Sequence, residues 1–239
     1  MKHFLLRCVI CLLSVVFLAS RVQATFVTSA AAFGAPTQII DFSQFSGPSS
    51  FGPGPVQVGS LVGADVVWSS SNSITQGGAV IGDSLYNIIP NGSWNSGRVG
   101  FVGLNAATGT MLLKFNGPPV GEVGAFLNYS AGSGPDVIIS ALASDGSVLE
   151  SYDVNTLAPI STPGTLNAGA FRGITRPTAD IFGFQVANSA VVLDDLTFGA
   201  SSPEPSSVML FSVGLLAIAS VYRRGKRRQV RAIATIDKR

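Results

Sequence analysis

TMLLKFNGPPVGEVGAFLNYSAGSGPDVIISALASDGSVLESYD, residues 110–153, is the stretch on which the fold turns. Met111, Leu113 and Phe115 alternate with Leu112 and Lys114, the period-two pattern of a strand with one buried face. Pro118 and Pro119 interrupt the run, and Glu122–Asn128 starts the next. Proline holds φ near one value and has no amide to donate to a ladder. Val137, Ile139 and Ala141 oppose Ile138, Ser140 and Leu142, so the strand Asp136–Ala143 is expected to be covered on both sides. Ser144-Asp145-Gly146-Ser147 then reads as a hairpin turn into Val148–Asp153, with Gly146 supplying a positive φ.

Outward from this stretch the same grammar repeats. Runs rich in β-branched and aromatic residues fall at Gln38–Phe45, Val56–Val58, Asp65–Ser69, Ala79–Ile81, Arg98–Val102, Phe171–Ile174, Ile181–Val186 and Val191–Phe198. Gly, Pro, Asn and Asp separate them, and helix signals are nearly absent. The pattern predicts an all-β domain, a two-sheet antiparallel sandwich of jelly-roll type, with an open barrel as second choice. No fixed period recurs, which argues against a solenoid or propeller.

The two ends differ from this body. Lys2 and Arg7, an apolar run from Leu5 to Ala19 and the compact residues Val22-Gln23-Ala24 read as a secretory signal peptide over 1–24. The body then spans 25–199, a linker with Pro203-Glu204-Pro205 spans 200–205, an apolar segment at the short limit for a transmembrane helix spans 206–222, and a basic cytoplasmic tail spans 223–239. Cys8, Cys11 and His3 are the only cysteines and histidine, and all leave with the signal peptide. The mature chain therefore lacks a thiol nucleophile, an imidazole base, a disulfide and the usual zinc ligands. Between Thr25 and Ser202 stand four basic and eleven acidic residues, a balance of −7 hidden within the whole-chain +2. An acidic body excludes nucleic acid as a natural partner, because binding it means neutralising phosphates.

The C-terminal order is specific: Pro203-Glu204-Pro205, the uncharged run Ser206–Tyr222, then Arg223, Arg224, Lys226, Arg227 and Arg228. This arrangement resembles the PEP-CTERM sorting signal. The resemblance implies a Gram-negative bacterium, often one making exopolysaccharide, and an exosortase-type membrane enzyme as partner. It also implies an exported, inner-membrane-anchored precursor bound for the cell surface or extracellular matrix. Ser202 stands where the family often has Val, and Gln229–Arg239 continues past the basic cluster. The body resembles β-sandwich proteins of the same group through Ile39-Ile40-Asp41-Phe42 and Val192-Leu193-Asp194-Asp195-Leu196-Thr197-Phe198. Such sandwiches are similar to carbohydrate-binding modules, which implies a glycan ligand by fold analogy alone.

Three groups of residues are candidates for chemistry in the body. Tyr86, Asn91, Trp94, Asn95 and Arg98 mix aromatic faces with amides, the equipment of sugar recognition; the alternative is a long loop with Trp94 tucked into the sandwich edge. Trp68, ending an apolar strand, is expected in the core. Asp41, Asp194 and Asp195 are candidate calcium ligands, although neighbours on a strand point to opposite faces, so Asp194 and Asp195 are not expected to act as a pair. The alternative there is carboxylates capping backbone amides at the sheet edge. Glu122 and Glu150 are the body's glutamates, the minimum for glycoside hydrolysis, with no spacing that marks them as acid and nucleophile. No catalytic residue and no required cofactor is assigned. The function expected is that of a sorted surface or matrix protein whose body is structural or glycan-binding. The alternatives are a membrane-tethered periplasmic domain or, behind it, a carboxylate-dependent glycosidase.

Overall fold

The computed structural model describes residues 24–34, 37–45, 50–71, 78–81, 85–98, 100–200 and 214. Apart from Ala24 and Ala200, and Gly214 alone, the signal peptide, the motif-bearing linker, the apolar segment 206–222 and the basic tail lie outside the described residues. Among the described residues no helix is long and apolar enough to cross a membrane.

The strands are β1 (Thr25–Val27), β2 (Thr37–Ile40), β3 (Ser50–Phe51), β4 (Val56–Gln57), β5 (Val66–Ser70), β6 (Gly78–Ile81), β7 (Tyr86–Asn87) and β8 (Ser93–Trp94). They continue as β9 (Phe101–Leu104), β10 (Thr110–Phe115), β11 (Glu122–Asn128), β12 (Ile138–Leu142), β13 (Val148–Asp153), β14 (Ala170–Thr175), β15 (Gly183–Ala187) and β16 (Val192–Gly199). One sheet runs β1-β14-β11-β16-β9-β6-β3, with β2 also paired to β16; a second runs β13-β12-β15-β10-β5-β4; β7 and β8 form a small hairpin. The strand ladders are antiparallel, and residues 22–202 make one compact unit.

Alternation along the strands decides where the core sits. Met111, Leu113 and Phe115 of β10 are at most 3% exposed, whereas Lys114 is exposed. They share the core with Val123, Ala125 and Leu127 of β11 in the other sheet. Aromatic pairs bridge the two sheets: Phe115 meets Phe198 at 5.1 Å between ring centroids, and Phe26 meets Tyr152 at 5.6 Å. Trp68 is buried in this core, as expected. The 144–147 turn also forms as expected: Gly146 has φ 83°, and Asp145 accepts hydrogen bonds from the Ser147 amide and hydroxyl.

Two boundaries shift for local reasons. The strand expected over 38–45 ends at Ile40, because Asp41 accepts from the Ser43 amide at 3.1 Å and Phe42 takes φ 55°. The strand expected from Arg98 starts at Phe101, after a 3-10 turn at Ser96–Arg98. Gly100 between them has φ 78°, and a Cβ there would fall 1.6 Å from the Phe42 carbonyl oxygen, so no side chain fits without displacing that backbone.

Candidate functional site

The stretch expected to bind a ligand folds back onto the protein. Hairpin β7–β8 pairs Tyr86 with Trp94 and Asn87 with Ser93. The Ile88 amide donates to the Gly92 carbonyl at 2.9 Å and the Asn91 amide to the Ile88 carbonyl at 2.7 Å, closing its turn. On its other side Ser93 bridges Leu166 in parallel register. The hairpin and the 159–168 loop thus form a cover beside Phe126 of β11 and Val192 of β16.

Trp94 anchors this cover. It is fully buried with Ile88 and Val192, its ring stacks on Phe126 at 5.8 Å, and its Nε1 donates to the Ala168 carbonyl at 2.7 Å. In this arrangement the indole offers no face to a sugar. Asn91, 3% exposed, donates to the Tyr129 and Ile160 carbonyls at 3.1 and 2.8 Å and accepts from the Thr162 amide at 3.2 Å. Asn128 donates to the Asn91 and Ala168 carbonyls at 3.1 and 2.8 Å. Asn95 exchanges a pair of hydrogen bonds with Asn167: its amide donates at 2.8 Å, and its Oδ1 accepts at 2.7 Å. The Tyr86 hydroxyl donates to Asn105 Oδ1 at 2.8 Å, and burial pushes its phenol up to about 12.

Arg98 closes the network. Its Nε donates to the Asn167 carbonyl at 3.0 Å. Its Nη1 donates to Asp194 Oδ2 at 2.7 Å and reaches Asp195 Oδ2 at 3.4 Å. The guanidinium also lies over the Phe126 ring at 3.7 Å and the Trp94 ring at 5.0 Å, so cation–π attraction adds to the ion pair. The two aspartates do meet one cation, contrary to the expectation for neighbouring strand residues. The reason is a bulge in β16: Gly124 faces Thr197 and Phe126 faces Asp194, which leaves an extra residue, and Asp195 takes φ 49° there. A bulge re-aims a side chain that strict alternation would send away. Burial pushes the Asp194 carboxyl up to about 6; the Asp195 charge adds to the rise, and Arg98 opposes it.

Asp41 lies just past Ile40, which pairs with Leu196, so the opening and closing strands are neighbours. Its Oδ1 accepts from the Ser43 amide and hydroxyl. Among the described residues no group of three His, Cys, Asp or Glu is placed to hold a metal ion. Glu122 is 5% exposed and accepts the Gly34 amide with both oxygens, at 2.9 and 3.1 Å. Glu150 accepts from Arg176 Nη1 at 2.9 Å, while Arg176 also grips Asp180 at 2.6 and 2.8 Å. Each glutamate therefore has a structural partner.

A feature that the sequence reading missed lies on the second sheet. A shallow depression of about 220 Å³ is lined by Leu112, Leu142, Phe182 and Gly183, with Lys114 and Asp145 among its polar residues. Of the body's four cations, Arg98, Arg172 and Arg176 are held by internal acceptors. Lys114 is exposed and makes no ion pair among the described residues. Its place on the outward face of β10 was the available signal.

No curated protein matches the chain. Among solved structures, the chain is similar to the His 62 mutant of the lectin binding domain of Lectinolysin complexed with Lewis b. That match covers 74% of this chain and all of the other, at 13% identity and a TM-score of 0.28, a likeness too slight to carry an argument. Residues 203–228 match the PEP-CTERM protein-sorting motif, the mark of an exported, membrane-anchored precursor that an exosortase processes, and the chain carries that signal at the C-terminal side of its all-β body.

Proposed function

We propose that this protein is a surface or extracellular-matrix component, delivered by its sorting signal and released or transferred by cleavage near Pro203-Glu204-Pro205. The observation that carries the reading is the sorting motif at 203–228, directly after a self-contained sandwich that ends at Gly199. The signal peptide at 1–24 starts export, the apolar segment 206–222 holds the precursor in the inner membrane, and Arg223–Arg228 stays inside. The body is the cargo. Its two antiparallel sheets, ordered β1-β14-β11-β16-β9-β6-β3 and β13-β12-β15-β10-β5-β4 around one shared core, support a jelly-roll reading.

The body serves as a structural module. Trp94, Asn91, Asn95 and Arg98 are spent on internal contacts, and Glu122 and Glu150 on internal acceptor roles, so the reading assigns no catalysis. Intact mass of the protein recovered from the host's surface or medium tests delivery. The expected species begins near Thr25 and ends near the tripeptide. A chain found only in membranes, with its apolar segment and basic tail intact, would overturn the sorting reading in favour of a tethered periplasmic domain. Retention of the released protein on host exopolysaccharide separates the structural role from a glycan-binding one; none is expected, and specific retention would reverse that assignment.

A further inference from the structure

The first strand starts and the last strand ends at one rim of the sandwich. Thr25 pairs with Thr175, Thr175 with Glu122, Glu122 with Gly199, and Gly199 with Thr37. The first strand therefore starts, and the last strand ends, in one row across a sheet, about 14 Å apart at ordinary strand spacing. From Ala200 to Pro203 the chain reaches at most about 11 Å even when fully extended. Covalent reach alone keeps this rim close to anything that engages Pro203-Glu204-Pro205.

The depression belongs to the same end. Lys114 and Leu142 both pair with Gly183 where β10, β12 and β15 meet the rim. The Phe182 amide donates to the Leu142 carbonyl, and the Phe182 carbonyl accepts from the Phe115 amide, each at 2.8 Å. The Phe115 ring in turn touches Phe198, the residue before Gly199. The floor is apolar and is kept open by the missing side chain at Gly183, where a Cβ would lie 3.0 Å from Leu112 Cδ1. Lys114 overlooks it as a cation that makes no ion pair among the described residues. With Lys114 and Asp145 both among the lining residues, this chemistry suits an apolar side chain of a partner flanked by polar groups that meet Lys114.

We propose that this rim, centred on the depression beside Lys114, is the docking surface for the extracytoplasmic face of the membrane enzyme that processes the sorting motif. The inference rests on the sorting reading above. The rim holds the tripeptide at the enzyme, and a tethered second contact raises the effective concentration of the cleavage site.

The test uses the full-length chain in its native host, followed by pulse-chase for conversion to the processed form. The double variant Leu112→Asp, Lys114→Glu is expected to be processed about tenfold more slowly, the loss typical of a central interface contact. Protease resistance of the exported body verifies its fold. A photo-crosslinking residue at position 114 is expected to capture the processing enzyme. Wild-type processing of the double variant, or crosslinks to lipid alone, would overturn the proposal. Pro203→Ala with Pro205→Ala separates the two claims. If that variant is still processed, the sorting reading fails; if it is not, while the rim variant is processed normally, only the docking surface fails.

Discussion

The two tryptophans sit in environments of opposite character. Trp68 lies between the sheets, 1% exposed, among apolar side chains, and its indole nitrogen is buried without a hydrogen-bond partner among the described residues. Trp94 is equally buried but lies in the separate cluster under the hairpin, with its nitrogen bonded to Ala168 and a guanidinium over its ring. The first region is held by apolar area removed from water, worth roughly 25 cal/mol per Å². The second is a smaller apolar cluster, fixed in addition by amides and by Arg98 paired with Asp194 and Asp195, all partners being internal. Apolar burial tolerates an imperfect polar atom. A polar cover does not, because each lost partner strands another buried group.

The sharpest break of the contrast is Trp68→Ala, which opens a cavity between the sheets. It is expected to cost about 3–5 kcal/mol in urea unfolding. Trp68→Phe should cost clearly less, since the Nε1 it removes has no partner to strand. Equal losses for the two would show that the nitrogen matters after all.

Arg98→Met probes the cover. It leaves Asp194 buried opposite no cation, and is expected to cost about 2–3 kcal/mol. That is below the ~3–5 of a fully buried pair, because the Arg98 side chain keeps 18% exposure. Adding Asp194→Asn should recover part of the loss. A double variant no better than the single would mean that the aromatic contacts, rather than the ion pair, hold the hairpin.

Acid titration sharpens the same point. Asp194 is held at about 6 in the folded protein, above its ordinary value. The folded state therefore binds this proton more readily than the unfolded chain. Its contribution to stability grows as pH falls from 7 through 6 and levels off below about 4, by up to ~3 kcal/mol. Asp153 and Asp180 run the other way, since hydrogen bonds from Thr156 and from Arg176 hold their carboxyls below the usual range. The measurement is thus the difference between wild type and Asp194→Asn across that window. The gap is expected to change steadily with pH; a flat difference would remove Asp194 from the account.

The smallest effect is expected for Tyr86→Phe, which deletes the bond to Asn105 at the near end of the hairpin. A loss of about 1 kcal/mol is the usual net value for one hydrogen bond. Thermal melts of the pair would resolve it.

What was legible in the amino-acid order was local and repetitive. Residues 110–115 form the strand their alternation predicts, because period two places every second side chain on one face whatever the partner strand, and 122–128 and 148–153 form the strands expected of β-rich runs set between turn residues. The Asp145-Gly146 turn and the core place of Trp68 follow from equally local rules. The sorting signal is legible for the same reason, since its three parts act in sequence order along one short segment. The cover over Phe126 was not. Arg98 meets Asp194 across 96 residues, and Asn95 meets Asn167 across 72, so no window of sequence contains both halves of either contact. The bulge at Asp195 went unread because one extra residue cancels the alternation that strand rules assume. Sequence alone determined an all-β body and its exported, sorted fate. Tertiary packing decided that Asn91 and Trp94 are buried and Arg98 is turned onto Asp194, and that the first strand's start and the last strand's end share one rim with the Lys114 depression, because those placements depend on which distant strands become neighbours.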